Sequence, residues 1–276
     1  MSGVVVCGAM GRMGKAILSI LAEGAYDLKL SGAVETKGHP AIGVDVAAAG
    51  AGCSGVIVSD DFEAAITKAD VAIDFTTAEN SARNAVIAAA AGKPIVIGST
   101  GIKAQQMEAI REAARKTAIV QSPNMSIGVN LMFRVAADVA RVLGDDYDVE
   151  IVETHHRFKK DAPSGTAVKL ADVVASALGR EMKDVGVYGR EGMVGERTRR
   201  EIGVFAMRSG DVVGEHTIVF GGIGERFEIT HRAHSRDTFA RGAVRAARWI
   251  LGKPPGLYDM SDVLGLGAIT APETRN

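Results

Sequence analysis

Val4-Val5-Val6-Cys7-Gly8-Ala9-Met10-Gly11-Arg12-Met13-Gly14 is the stretch that decides the fold of this chain. Its first four residues are wholly apolar, the pattern of a central parallel strand covered on both faces. A glycine-rich turn follows at once, and Met13, Ile17, Ile20 and Leu21 then mark one face of a helix. A second strand is expected from about Leu28 to Val34, ending on Glu35. Strand, glycine-rich turn, helix, strand and acid in that order form the fingerprint of a dinucleotide-binding βαβ unit. The glycines let backbone approach a pyrophosphate, and the helix N-terminus stabilises its charge. Glu35 stands about 20 residues beyond the turn, where a carboxylate accepts from ribose hydroxyls. The spacing is Gly-x-x-Gly-x-x-Gly rather than Gly-x-Gly-x-x-Gly, so the turn by itself also fits tight βα packing without a ligand.

The βα alternation continues. Val71 to Phe75 reads as a strand, and Thr76-x-x-Glu79 as a capping box opening a helix from about Glu79 to Ala91. Ile95-Val96-Ile97 is the next strand, a helix follows from about Ala104 to Lys116, and Ala118 to Val120 is another strand. In an open parallel sheet, ligands bind at the loops beyond the carboxyl ends of the strands. Three such loops, Thr76-Thr77, Gly98-Ser99-Thr100-Gly101 and Ser122-Pro123-Asn124, carry small polar residues. Each alone is an ordinary connection. Three in one sheet point to a binding edge.

From residue 127 the pattern changes. Val129, Met132, Phe133, Ala136, Val139, Ala140 and Leu143 form one face of a long helix that bridges to a second domain. Tyr147, Val149 and Ile151 alternate with Asp148 and Glu150, as in a half-buried strand. Then comes Glu153-Thr154-His155-His156-Arg157-Phe158-Lys159-Lys160-Asp161-Ala162-Pro163-Ser164-Gly165-Thr166. Beyond it Ala167, Leu170, Ala171, Val174, Ala177 and Leu178 fall at helical spacing, with Gly179 placed to serve as C′. The segment therefore reads as strand, basic loop, helix start. It offers imidazoles that titrate near neutrality, ammonium groups for anions, and the N–H groups of an opening helix. The bland alternative is a solvated basic turn with a Ser N-cap. Strands with hairpin-like breaks follow at Ile202 to Met207, Val212 to Phe220 and Arg226 to Ala233, which describes a mixed or antiparallel α+β unit. Phe239, Ala243, Ala247 and Ile250 mark a last helix, stopped by Gly252-Lys253-Pro254-Pro255-Gly256. From about Gly267 no pattern remains, and that end is expected to fray. The fold class is α/β: a Rossmann-type parallel sheet domain with a second α+β domain on a mixed sheet.

At 276 residues the chain is long enough for two domains, and 47% apolar with 24% charged residues is ordinary globular composition. A net charge of −1 gives no field for nucleic acid or a membrane surface. Two cysteines, Cys7 and Cys53, make no disulfide framework and fit a reducing cytoplasm. Neither a signal peptide nor a run of apolar residues long enough to span a bilayer is expected. His155 and His156 are neighbours on extended backbone and point to opposite sides, so they cannot share a metal, and no carboxylate or Cys cluster joins His231 and His234. The expectation is no metal. One histidine facing a pocket, with a lysine four residues on, can instead supply a proton and an anion-binding charge. That is the complement needed for hydride transfer to an unsaturated carbon–nitrogen acceptor.

Gly8-Ala9-Met10-Gly11-Arg12-Met13-Gly14 together with the run from Glu153 to Ala167 resembles the 4-hydroxy-tetrahydrodipicolinate reductase (dihydrodipicolinate reductase) family, of the diaminopimelate route to lysine. Arg208-Ser209-Gly210, Gly214-Glu215-His216-Thr217, Glu228-Ile229-Thr230-His231 and Gly256-Leu257-Tyr258-Asp259-Met260 are similar too, so the likeness runs from Val4 to about Leu266. The resemblance implies that His155 is the catalytic acid/base and Lys159 the second proton donor and carboxylate contact. It implies that His156, Ser164, Gly165 and Thr166 hold a dicarboxylate substrate. It puts the dinucleotide on Gly8, Ala9, Met10, Gly11, Arg12, Met13, Glu35, Gly98, Ser99, Thr100, Ser122, Pro123, Asn124 and Met125. It also implies a dinucleotide-binding domain of residues 1–126 and 236–276, a substrate-binding and oligomerisation domain of residues 127–235, and a homotetramer joined through the latter's sheets.

Cofactor choice is where this chain departs from the family. Thr36 stands where many members have an arginine after the acid, and Thr77 where some have one after the Phe-Thr pair. Glu35 suits the ribose hydroxyls of NADH and repels the 2′-phosphate of NADPH, with Lys37 and Arg12 as the nearby cations. The expectation is use of both NADH and NADPH, NADH at least as well. Two other functions remain open on sequence: another dicarboxylate or amino-acid oxidoreductase on this scaffold, and a nicotinamide-binding sensor without turnover.

Overall fold

The computed structural model describes residues 1–53 and 55–267. The patternless end after Gly267 lies outside them. The chain divides into two compact units, one of Met1–Ile127 with Arg236–Gly265, the other of Gly128–Ser235 with Leu266 and Gly267.

In the first unit, β1 (Ser2–Cys7), α1 (Arg12–Ala22) and β2 (Leu28–Val34) form the opening βαβ. The chain continues through β3 (Val58–Ser59), α2 (Phe62–Thr67), β4 (Val71–Asp74), α3 (Ala78–Ala90), β5 (Ile95–Ile97), α4 (Ala104–Ala114) and β6 (Ala118–Gln121). β1 lies between β2 and β4, all parallel, with Val6 opposite Ala33 on one side and Ile73 on the other. The alternation of the strand divides the core into two. Val4 and Val6 pack with Ile17, Leu18 and Ile20 of α1, whereas Val5 and Cys7 pack with Phe62, Ile66, Ala85 and Ile110 from α2, α3 and α4. Both faces are covered, so an unbroken apolar run is the stable sequence, each buried Val or Ile contributing roughly 1.5–3 kcal/mol.

The second unit begins in α5 (Ile127–Leu143), followed by β7 (Asp148–His155), α6 (Gly165–Ala177), α7 (Met182–Val185), β8 (Gly186–Val187), β9 (Ile202–Arg208), β10 (Gly214–Gly221) and β11 (Arg226–Ala233). Its sheet runs β11-β10-β7-β9-β8, with β10 antiparallel to both neighbours and β9 parallel to β7 and β8. Val149 and Ile151 of β7, Val204 of β9, and Ile218 and Phe220 of β10 pack against Phe133 and Ala136 of α5 and against Leu170 and Val174 of α6. The chain then returns to the first unit as α8 (Asp237–Ile250), whose Ala243, Val244, Ala247 and Ile250 complete the α1 face, and as β12 (Gly256–Tyr258) and α9 (Met260–Leu264). β12 pairs parallel with β6, giving the seven-stranded order β12-β6-β5-β4-β1-β2-β3. Leu266, which the sequence reading puts with the first unit, groups with the second, where Arg134 donates to its carbonyl.

Three local expectations change. The cap of α3 is Thr77, whose hydroxyl accepts from the Asn80 N–H, and not Thr76, whose side chain turns to Asp74. The Ser209-Gly210 break is not a hairpin, because β7 lies between β9 and β10. β7 also runs on to His155, so Glu153 and His155 are sheet residues and not loop residues.

Candidate functional site

In the first unit, Gly8 ends β1 with φ +72, and its N–H donates to the Val34 carbonyl at 2.8 Å. A Cβ on Gly14 would meet the Gly8 carbonyl oxygen at 2.1 Å, so only glycine lets α1 come this close to the turn. Ala9 is buried, Met10 and Met13 pack on the core, and Gly11 and Arg12 are exposed where α1 opens. Glu35 reaches back across the turn: Oε1 accepts from the Met10 N–H at 2.8 Å and Oε2 from the Thr36 N–H at 3.2 Å. Beside it is a cavity of about 260 Å³ lined by Gly8, Glu35, Thr36, Lys37, Arg83 and Asn84. Arg83, and not Arg12, is thus the second cation of this cavity.

The polar loops on the same strand edge are tied together by Asp74, a wholly buried carboxylate that the sequence reading missed. It accepts from the Thr76 backbone and hydroxyl, from Ser81, and from Asn84 Nδ2, while Ser81 Oγ lies 2.7 Å from Ser99 Oγ. An acid ending an otherwise apolar strand was its one visible signal. Gly98 serves packing, since a Cβ there would run into the Phe75 ring at 2.2 Å. Thr100 is exposed at the loop tip, as is Pro123. Ser122 and Asn124 brace their own loop, donating to the Asn124 carbonyl and accepting from the Ser126 N–H, and Met125 is core. The fit to a dinucleotide rests on the cavity, which Glu35 lines together with Asn84, whose buried Oδ1 acceptor has no hydrogen-bond partner.

In the second unit the inward face of β7 reads Val149, Ile151, Glu153, His155, so the apolar core gives way to charge where the strand reaches α6. Glu153 is 0% exposed. Its Oε1 accepts from Arg208 Nη2 and from the Ser164 N–H, both at 3.0 Å, and its Oε2 from Arg208 Nη1 at 2.9 Å. The same Oε2 lies 2.5 Å from His155 Nδ1. Burial works against this carboxylate's charge, but the hydrogen bonds from Arg208, His155 and Ser164 outweigh it and hold it below the usual range. Burial likewise pushes the His155 pKa down, opposed by Glu153 and assisted by the charges of Lys159 and Arg208.

His216 of β10 stands in register with Glu153 and with His231 of β11, and its ring meets that of His155 edge-on at 5.2 Å. Burial, then the His155 charge, pushes its pKa down to about 3. Its Nε2 is 3.0 Å from Ser164 Oγ, which also accepts from the Ala167 N–H as N-cap of α6. Gly165 is exposed with open space where a Cβ would lie, and Thr166 is half-buried in the same first turn. Lys159 Nζ donates to both carboxylate oxygens of Asp161 at 2.8 Å. His156 turns towards Phe158, and its buried Nδ1 has no hydrogen-bond partner. Glu153, Arg208 and His216 stand in the stretches that carry the resemblance but were given no role there; an acid two residues before the histidine pair was the available clue. Among the described residues no three His, Cys, Asp or Glu side chains gather as a metal site, and no helix is long and apolar enough to cross a membrane.

Comparison with known proteins bears on the whole chain. The family descriptions "Dihydrodipicolinate reductase, N-terminus" and "Dihydrodipicolinate reductase, C-terminus" match residues 2–125 and 128–264. The 4-hydroxy-tetrahydrodipicolinate reductase of Syntrophus aciditrophicus is 55% identical over 95% of this chain and 97% of its own. That of Anaeromyxobacter dehalogenans is 57% identical over 96% and 98%. Among solved structures, a dipicolinate-bound dihydrodipicolinate reductase from Paenisporosarcina sp. TG-14 superposes with TM-score 0.75 at 24% identity, covering 94% of this chain and 97% of that one, a likeness of fold. With matches over both units and identities above one half, the chain belongs to the 4-hydroxy-tetrahydrodipicolinate reductase (dihydrodipicolinate reductase) family.

Proposed function

We propose that the chain reduces 4-hydroxy-tetrahydrodipicolinate, through a dihydrodipicolinate-like species, to tetrahydrodipicolinate on the diaminopimelate route to lysine, using a nicotinamide dinucleotide. One observation carries the reading beyond family membership. An imidazole engaged at Nδ1 by a buried carboxylate stands at the end of β7, with an ammonium group in the next loop and a helix start beyond it. The dinucleotide, when bound, supplies the hydride. Gly8 to Met13, Glu35, Gly98 to Thr100 and Ser122 to Met125 hold it, Glu35 by accepting from the ribose. His155 gives a proton to the enamine side of the substrate ring. Lys159 holds a substrate carboxylate and is the second proton donor, which requires it to exchange or share Asp161. His156 and the first turn of α6, Gly165 and Thr166, receive the dicarboxylate. Ser164 contributes through the cap it makes, because its hydroxyl is already engaged.

The first unit is in this reading the dinucleotide-binding domain and the second the substrate-binding and oligomerisation domain of a cytoplasmic homotetramer. Both NADH and NADPH serve, NADH at least as well, because Glu35 favours a free ribose while Lys37 and Arg83 line the same cavity. The decisive assay is NADH oxidation with freshly generated 4-hydroxy-tetrahydrodipicolinate. Oxidation dependent on that substrate is expected. Tight dinucleotide binding without oxidation would favour a sensor.

A further inference from the structure

Glu153 is a wholly buried carboxylate with four donors on two oxygens: Arg208 Nη2 and the Ser164 N–H on Oε1, Arg208 Nη1 and His155 Nδ1 on Oε2. An ionised carboxylate has about four lone-pair sites and no proton to give. Three of the partners can only donate, so the fourth, His155 Nδ1, must donate as well. The remaining nitrogen, Nε2, lies on the side where Gly214 has no side chain, and a Cβ there would come within 3.0 Å of it. The ring plane is held by the edge of His216, which Ser164 in turn anchors.

We infer that Glu153, kept ionised by Arg208, is the positioning residue of the site: it holds His155 as the Nδ1–H tautomer and leaves Nε2 to carry the exchanging proton. This rests on the proposed role of His155. Glu153 touches no substrate; it acts through the imidazole. The groups that face His155 are Glu153 on its own strand, Arg208 on β9, His216 on β10 with His231 beyond it, and Lys159 with Asp161 in the loop. Glu153 is the only carboxylate bonded directly to the ring among these, and the cations Lys159 and Arg208 oppose ring protonation. Without the Glu153 charge, the His155 imidazolium loses the carboxylate bonded to it and the neutral ring its tautomer.

The alternative is a structural tie, since the same carboxylate joins β7, β9 and the start of α6. Glu153→Gln separates the two. As a positioning residue it predicts kcat lowered by about ten- to a hundredfold, the worth of a charged hydrogen bond, with substrate KM changed less than about threefold, and the His155 limb of the pH–kcat/KM profile shifted to lower pH. An unshifted profile with wild-type kcat overturns the inference. Because Glu153→Gln leaves the Arg208 charge without its partner and can unfold the protein, nitrogen NMR of the histidine rings in the unmodified protein is the second measurement. His155 protonated on Nδ1 in its neutral form is the expected result; a dominant Nε2–H form overturns the inference. The NMR result does not depend on turnover, so loss of the functional reading and loss of this inference are separately visible.

Discussion

In the proposed mechanism His155→Gln removes a proton donor but no charge that holds substrate, so kcat should fall by ~10²–10⁴ with KM little altered. Lys159→Met should damage both, because it removes the ammonium group proposed to meet a substrate carboxylate. Lys160→Met, on an exposed neighbour outside the Asp161 pair, should change neither. Steady-state kinetics on the three variants checks the assignment, and an essential Lys160 with a dispensable Lys159 would reverse it. Cofactor choice is also decided by single side chains. In the proposed binding mode the 2′-phosphate of NADPH would meet Glu35, and a guanidinium beside it could offset the repulsion by ~1.5–3 kcal/mol, roughly ten- to a hundredfold in affinity. Thr36 offers no charge, so Thr36→Arg should shift kcat/KM towards NADPH. Arg83 lines the cavity with Glu35, so Arg83→Met should weaken NADPH more than NADH. A tenfold preference of the unmodified enzyme for NADPH would contradict the reading and make Arg83 and Lys37 the phosphate clamp.

At the scale of elements, what was legible followed from repetition. Val4 to Cys7, Ile95 to Ile97 and the amphipathic faces of α5 and α8 were plain because one period runs through each and each buries one kind of surface. The βαβ turn was plain because Gly8 and Gly14 answer a backbone demand. The strand order of the second unit was not legible: β9 pairs parallel with β7 across more than forty intervening residues, and local turn chemistry carries no record of such a partner. Nor was the Glu153–His155–His216 row, which register brings together from two strands and which reads in sequence as separate polar residues. Two predictions belong to this row. In Gly214→Ala the new methyl presses on His155 Nε2, so kcat should drop roughly three- to tenfold, since even an ångström of misplacement can cost a hundredfold, with little change in thermal stability. His216 titrates near 6.5 when unfolded and at about 3 in the fold, so between these values the unfolded chain binds the extra proton. Stability from this residue is full above pH 6.5 and falls as pH drops towards 3, by up to about 5 kcal/mol at 1.36 kcal/mol per unit. Unfolding of His216→Gln followed by circular dichroism from pH 7 to 4 should depend less steeply on pH than that of the unmodified protein.

At the scale of the molecule, the open face of the second sheet is where a second copy is expected to dock. Its inward face is covered by α5 and α6. The other face carries Val152 on β7, Phe205 and Met207 on β9, and Thr217 and Val219 on β10, interleaved with Glu150, Glu215 and Glu228. Arg190 covers part of it, lying over the Phe205 ring at 5.3 Å and pairing with Glu150 and Glu201. Met207 nevertheless stays 53% exposed, and Ile223 is open in the turn between β10 and β11. A sheet face of this half-apolar kind is a poor solvent boundary, and pairing with the same face of another copy buries it without any new sequence. The opposite-charge chances on the face, Arg232 with Glu215 and Arg226 with Glu228, allow the polar positions to be satisfied in register. Face-to-face pairing of this kind closes a dimer, and the homotetramer proposed above adds a second contact between two such dimers; light scattering at micromolar concentration is expected to give the tetramer mass. Val219→Glu combined with Met207→Glu should lower the mass towards the monomer while leaving the far-ultraviolet circular dichroism unchanged, because neither residue belongs to the inward core. A monomeric unmodified protein at that concentration, or a double variant of unchanged mass, would show that this face is not where the copies meet.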